Sequence, residues 1–172
     1  MNPVVFPFER APSKIFGSIY RPVAAVNFWS LRLREWCEVI GIVDTGADYV
    51  LLPKFYADDF GIRLKRDCKR KTTKGVGGEE GVFLCPKMRV SFLGEAFVIP
   101  VGFLNRDDIP PLLGRHKFLD RFRVSFHRHK TYFESKRPAD NLPGTQKDIE
   151  KILGLKGTVK WQGDLRQMRK CR

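Results

Sequence analysis

The sequence predicts a mostly β domain with one or two short helices. Several short apolar stretches are typical of strands, among them residues 23–28 and 95–103, and residues 31–39 begin with alternating leucine and arginine. Before residue 135, only residues 54–64 and 112–123 carry a pattern that suits a short amphipathic helix. Since many short strands occur with few helices and no long internal repeat, an all-β architecture is favoured over α/β folds and solenoids.

Composition divides the chain into three parts. Residues 1–20 contain three prolines and no sustained period, which predicts an extended N-terminal arm. Residues 21–134 contain the strand candidates and predict a single domain. Residues 135–172 carry ten Lys or Arg against four Asp or Glu and form a basic tail, for which disorder and a partial helix over residues 145–155 both stay open. The whole chain has a formal net charge of +13, which raises affinity for nucleic acid and anionic surfaces in general.

The bulk properties also indicate where the protein works. Hydrophobic residues make up 42% of the chain, enough for a packed core, yet no apolar run is long enough to span a membrane. Residues 1–10 lack the pattern of a signal peptide. The four cysteines, at positions 37, 68, 85 and 171, are scattered without metal-type spacing. We therefore expect a cytoplasmic protein with reduced thiols, although two disulfides are the alternative.

One triplet that contains an acidic residue is a candidate for a catalytic site. The apolar strand candidate 40–43 runs directly into Asp44-Thr45-Gly46. A carboxylate at the end of a buried strand is costly unless it is paired, neutralised or functional. On its own the triplet is better explained by a turn, because turns favour Asp and Gly.

The surrounding residues resemble the retroviral-type, or retropepsin-like, aspartic proteases. Residues 42–53, Ile-Val-Asp-Thr-Gly-Ala-Asp-Tyr-Val-Leu-Leu-Pro, resemble the active-site loop of that family, and Gly75-Val76-Gly77-Gly78 resembles its glycine-rich flap. Leu112-Leu113-Gly114-Arg115 resembles the family's second signature. The three motifs occur in family order across residues 21–134, and the chain is most similar to the bacterial retropepsin-like domain proteins. The resemblance implies a closed β-barrel-type acid protease fold with one short C-terminal helix.

The resemblance also implies an aspartic endopeptidase (peptidase A2) that needs neither cofactor nor metal. With one Asp-Thr-Gly triplet per chain, the active site requires a homodimer in which two Asp44 carboxylates activate water to hydrolyse a peptide bond. Thr45 would hydrogen-bond across the dimer axis, and Gly46 would let the backbone approach substrate. The implied substrate-binding residues are Ala47, Asp48, Gly75, Val76, Gly77, Gly78 and Leu113. Gly114 and Arg115 would give structural support, with Arg115 paired to Asp48.

Two positions depart from the family pattern. Val50 stands where Thr or Ser is usual, and His116 stands where Asp or Asn is usual. Those polar groups normally tie the C-terminal helix to the active-site strand, so that packing must be solved differently here. Apolar residues, among them Val76, Phe83, Val101 and Leu113, are expected to line substrate subsites.

Two other functions remain open from the sequence. The same fold could serve as a catalytically silent dimerisation or peptide-binding module, or the basic tail could bind nucleic acid. A second basic cluster over residues 65–74 is explained by a solvated loop, with attraction of acidic substrates or nucleic acid as the functional alternatives. His127 and His129 share a strand face but have no evident third ligand, so we predict no metal site.

Overall fold

The computed structural model describes residues 3–75 and 78–135, and their fold is mainly β, as predicted from the sequence. The strands are β1 (Val4–Pro7), β2 (Glu9–Ser13), β3 (Gly17–Arg21), β4 (Val23–Ser30), β5 (Glu35–Val43), β6 (Val50–Pro53), β7 (Lys69–Gly75), β8 (Gly78–Phe92), β9 (Glu95–Leu104), β10 (Leu112–Leu113), β11 (Phe122–His127) and β12 (Lys130–Ser135). Two short helices, α1 (Phe55–Asp59) and α2 (Leu64–Asp67), and a 3-10 turn at Leu119–Arg121 complete the described elements. Residues 136–172, including the helix predicted at 145–155, lie outside the described residues.

The main sheet has seven strands in the order β4-β5-β10-β6-β9-β8-β7. Strand β4 also pairs with β8 through Asn27 opposite Ser91 and Phe28 opposite Val90, so the sheet is joined back onto itself. Most neighbours are antiparallel, but β10 runs parallel to β5 and β6 runs parallel to β9. Strand β7 is the free edge of this sheet, because among the described residues it pairs only with β8.

A second sheet of three strands, β1-β12-β11, covers one side of the core. Strand β1 pairs antiparallel with β12, and its Phe6 ring stacks on Phe92 at 5.8 Å between centroids. Residues 4–7 therefore form part of this sheet, whereas the sequence predicted that they belong to a separate extended arm. Strands β2 and β3 pair with each other as a hairpin.

The core lies between these layers, and strands β4 and β5 contribute to it by regular alternation. Every second residue of β4 and β5 is buried, including Val26, Phe28 and Val39, which are fully inaccessible to solvent. The aromatic side chains that join the two sheets are Phe92, Phe118, Phe122 and Phe133, with ring centroids 4.9–6.1 Å apart. Alternating burial along paired strands gives each sheet one apolar face, which fixes the register.

The predicted C-terminal helix over residues 112–123 is wrong. Leu112 and Leu113 instead form β10, and only a 3-10 turn follows. Two backbone features explain the difference. Lys117 has φ of 60° and Phe118 has φ of −113°, neither of which continues an α-helix. The apolar stripe that suggested a helix is used instead by a turn that buries Phe118 and Leu119.

The expectation of free thiols is also corrected. Cys68 and Cys85 form a disulfide, and no cysteine within the described residues is free. The register explains the pairing, because Lys69 lies opposite Leu84 and the next pair along the two strands is Cys68 with Cys85. The cysteines therefore do not support a cytoplasmic location. Among residues 3–75 and 78–135, no helix has the length and apolar character of a membrane span.

Candidate active site

Asp44 is placed at the exit of β5 by contacts of its own backbone and side chain. Its N–H donates to the carbonyl oxygen of Leu113 at 3.1 Å, which fastens the residue to β10. Its Oδ1 accepts the N–H of Gly46 at 2.8 Å and the N–H of Ala47 at 3.3 Å. Two donors aimed at one carboxylate oxygen hold the side chain in a fixed orientation. Oδ2 has no donor within the described residues.

Strand β10 brackets the Asp44 loop, residues 44–49, because it is inserted between β5 and β6. Leu112 lies opposite Ile42 on one side and opposite Leu51 on the other. Beyond β10, the N–H of Arg115 donates to Ala47 O at 2.9 Å and the N–H of His116 donates to Asp48 O at 2.6 Å. The loop is therefore held at its start and middle by a segment about seventy residues later in the chain.

The close packing of the Asp44 loop against the segment after β10 requires a glycine at position 114. A Cβ at this position would overlap the carbonyl carbon and oxygen of Tyr49, which are backbone atoms. Gly102 is crowded in a related way, since its Cβ would lie 2.7–2.8 Å from side-chain atoms of Val82, Leu51 and Tyr49. The sequence pointed to Gly114 through the second signature, but gave no sign that Tyr49 is its neighbour.

Asp48 and Arg115 meet at the surface of the protomer. Arg115 Nη2 donates to Asp48 Oδ1 at 2.8 Å, the contact that the sequence led us to expect. The side chain of Asp48 is 78% exposed and that of Arg115 is 53% exposed, so water screens the pair. The loop therefore depends on the backbone bonds and on Gly114 more than on this ion pair.

The two departures from the family pattern have structural explanations. Val50 is fully buried and belongs to the core, so an apolar side chain serves there. His116 contributes its backbone N–H to Asp48 O, and its side chain is exposed. The connection that polar side chains were expected to make is carried here by main-chain hydrogen bonds.

Strand alternation separates the residues around Asp44 into a core face and a site face. Val43 and Leu113 are buried in the core, whereas Ile42, Leu51 and Leu112 are only partly buried on the opposite face, which Asp44 extends. Leu113 and Val101 are fully buried, so both pack inside the protomer and neither lines an open subsite as the sequence led us to expect. Leu112 is the residue of β10 that lies on the same face as Asp44. Its two-residue spacing from Gly114 and its pairing with Ile42 are the signals that identify it.

The glycine motif lies at the end of a long hairpin. Strands β7 and β8 pair from Lys69 opposite Leu84 to Gly75 opposite Gly78. Val76 and Gly77 lie outside the described residues. Of the predicted site residues, the structure brings together a group around the Asp44 loop, while Gly75 and Gly78 belong to the separate hairpin. The members of that group are Asp44, Thr45, Gly46, Ala47, Asp48, Leu113, Gly114 and Arg115.

Comparison with known proteins shows the fold. No family model and no curated protein sequence matches the chain. Among solved structures, the crystal structure of a retropepsin-like aspartic protease from Rickettsia conorii is similar with a TM-score of 0.51 and 20% sequence identity, over 77% of this chain and 98% of that chain. EIAV protease complexed with the inhibitor HBY-793 is similar with a TM-score of 0.42 and 20% identity, over 55% of this chain and 82% of that chain. The fold is retropepsin-like.

Proposed function

We propose that the chain is an aspartic endopeptidase whose active site forms when the Asp44 carboxylates of two copies meet across a two-fold axis. The observation that carries the proposal is the fixed carboxylate of Asp44 at the exit of a buried strand, with Oδ1 held by two backbone donors. The retropepsin-like fold supports it, since the Rickettsia protein of the same fold is described as an aspartic protease. Apart from these two bonds within its own turn, the Asp44 side chain has no hydrogen-bond partner among the described residues.

The chemistry needs two such groups. Carboxylates about 3 Å apart cannot both ionise, so the pair shares one proton. The ionised member takes a proton from water while the other donates its proton to the carbonyl oxygen of the peptide, and the water oxygen bonds to the carbonyl carbon. The first carboxyl then gives its proton to the amide nitrogen while the second takes a proton from one hydroxyl of the tetrahedral diol, and the carbon–nitrogen bond breaks to leave an acid and an amine. One carboxylate can perform only half of this exchange, which is why a homodimer is required.

The exposed rim beside Asp44 suits the dimer contact. Thr45 and Gly46 are solvent-exposed in the protomer although they lie beside a rigidly held loop. In the proposed dimer, Thr45 bonds across the axis and Gly46 leaves space for an extended substrate strand. The glycine tip of the β7–β8 hairpin, Gly75 to Gly78, acts as the flap, with its backbone groups pairing with that strand as an added sheet edge.

The direct test is Asp44→Asn. The amide retains the shape but cannot share a proton, so we expect kcat on a peptide mixture to fall by about a hundredfold or more. The matched control is Asp58→Asn, because Asp58 is an exposed aspartate on α1 with no side-chain partner among residues 3–75 and 78–135. The control should retain full activity, and both proteins should sediment as dimers at the assay concentration.

The same variants also distinguish a protease from a catalytically silent peptide-binding module. A silent peptide-binding module would bind peptides in calorimetry with equal affinity in both variants and show no turnover in either. Equal cleavage by the wild type and Asp44→Asn would refute the proposal outright. A pepstatin-like mimic of the transition state should bind the wild-type dimer far more tightly than substrate peptides do.

A further inference from the structure

Strand β7 is the free edge of the main sheet, and it is strongly basic. Residues 65–74 contain six Lys or Arg and a single acid, Asp67. Among the described residues no strand pairs with the outer side of β7, so its outward N–H and C=O groups are available to another extended chain. The Cys68–Cys85 disulfide immediately precedes Lys69 and fastens the base of this edge to β8.

Some of the charged side chains in and near residues 65–74 lie close to side chains of opposite charge, and others do not. Arg66 bonds Asp67 at 2.6 Å and holds the pKa of that carboxyl below its ordinary value, so the two charges cancel. Lys74 lies opposite Glu79 in the ladder. Arg106 on the neighbouring loop is engaged by Asp108 at 2.6 Å and by Glu80 at 3.8 Å. The tip of the hairpin is therefore nearly neutral.

The base of the hairpin is not balanced. Lys69, Arg70 and Lys71 are exposed and form no ion pair with any described residue. Their ladder partners on β8 are Leu84, Phe83 and Val82, all apolar. We define these three residues, Lys69, Arg70 and Lys71, as the basic edge. Successive side chains point to opposite faces of the strand, so the basic edge presents positive charge on both faces.

We propose that the basic edge binds an extended acidic segment of the protein substrate, several residues away from the peptide bond that is cut. This inference depends on the proposed function, since it names the substrate class of the same site. Lys71 is four residues from Gly75, so the captured segment lies on the order of 13 Å from the hairpin tip. A run of three or four acidic residues beside β7 matches both its length and its charge.

A peptide fits this edge better than a nucleic acid does. Residues 65–75 contain no aromatic side chain, whereas single-stranded nucleic acid is usually held by aromatic rings on which bases stack. Strand β7 offers instead the free backbone groups that an extended peptide needs. The chain's own tail is an unsuitable occupant, because it carries ten basic and four acidic residues and so repels the basic edge.

The test compares two fluorogenic peptides with one cleavable core, found beforehand by mass spectrometry of a digested peptide mixture. One peptide carries Asp-Glu-Asp at a distance from the cut bond and the other carries Asn-Gln-Asn. Exposed charge pairs contribute little individually, so three together should give a preference of about tenfold in kcat/KM at low salt. We expect the Lys69→Gln, Arg70→Gln, Lys71→Gln triple variant to lose this preference and keep its activity on the neutral peptide.

The control has the same net charge as the triple variant. Arg10→Gln, Lys14→Gln, Lys130→Gln removes three exposed positive charges from β2, β12 and the hairpin tip after β2. It should retain the tenfold preference, whereas raising salt to about 0.5 M should remove the preference from every variant. An unchanged preference in the basic-edge variant would overturn the inference, as would an equal loss in the control.

A binding measurement separates this inference from the proposed function. The Asp44→Asn protein should bind a labelled acidic peptide in fluorescence anisotropy, and adding the basic-edge substitutions should abolish that binding. If Asp44→Asn cleaves normally, the proposed function fails while the anisotropy result still decides the inference. If the basic-edge variant loses affinity for a labelled oligothymidylate but keeps its preference for acidic peptide, the edge is a nucleic-acid contact and the inference is wrong.

Discussion

The Asp44 loop and the β7–β8 hairpin belong to one sheet but are held in opposite ways. The loop is fixed by backbone bonds to Leu113 and Arg115, far away in the sequence, and leaves no room for a side chain at Gly114. The hairpin is fixed by pairing between sequence neighbours and by a disulfide that spans 17 residues. The acid is therefore positioned by main-chain geometry, which tolerates little change, whereas the side chains of the hairpin are largely exposed and take little part in holding it.

The largest effect is expected from Gly114→Ala. The new Cβ would collide with the backbone of Tyr49, which cannot rotate away as a side chain can. We expect the free energy of unfolding to fall by about 4 kcal/mol, the range reserved for severe overpacking or backbone strain. Urea denaturation followed by circular dichroism measures this loss.

Gly81→Ala is the matched control on the hairpin. A Cβ at Gly81 meets no atom within 4 Å, and its strand needs no left-handed backbone. Replacing glycine in a strand reduces the entropy of the unfolded chain, so the variant should be unchanged or more stable by about 0.5 kcal/mol. Equal losses at positions 114 and 81 would show that the two regions do not differ in the way the packing indicates.

The next effect concerns the disulfide. In the double variant Cys68→Ala, Cys85→Ala we expect the free energy of unfolding to fall by about 3 kcal/mol, because a closed loop of this length restricts the unfolded chain. Hydrogen exchange should then quicken along β7, while the amides of Ala47 and Arg115 keep their protection. The single variant Cys68→Ala should lose nearly the same amount, since either change breaks the bridge. A double variant as stable as the wild type would remove the disulfide from this comparison.

The sequence alone was enough to predict the β class, the strand leading to Asp44 and the glycine turn, but residues 65–74 were expected to form a loop and residues 69–75 form β7. These features follow from local alternation and from turn residues, which neighbours in the chain decide. The Asp48–Arg115 contact also followed, but only because a family resemblance linked two distant segments.

What could not be predicted depends on contacts between distant segments. The helix expected at 112–123 had the right apolar spacing, yet Leu112 and Leu113 were recruited as a strand between β5 and β6. The same insertion buries Leu113 and turns Leu112 to the site face. The Cys68–Cys85 pair needed the register of β7 on β8, and the pairing of residues 4–7 needed the position of β12. None of these partners can be identified from one segment considered alone.

The smallest effect should come from the Asp48–Arg115 pair. A double-mutant cycle of Asp48→Asn and Arg115→Gln should give a coupling energy of about 0.5 kcal/mol in the protomer, because both side chains are more than half exposed. Urea denaturation at a concentration that keeps the protein monomeric measures it, and salt should reduce it further. A coupling energy of 2 kcal/mol or more, taken roughly as the threshold for a desolvated pair, would mean that the ion pair fixes the Asp44 loop. In that case the main-chain bonds from Arg115 and His116 would be a consequence of the ion pair. The Asp44 loop would then be positioned by side chains, and it would no longer differ from the hairpin in the way described above.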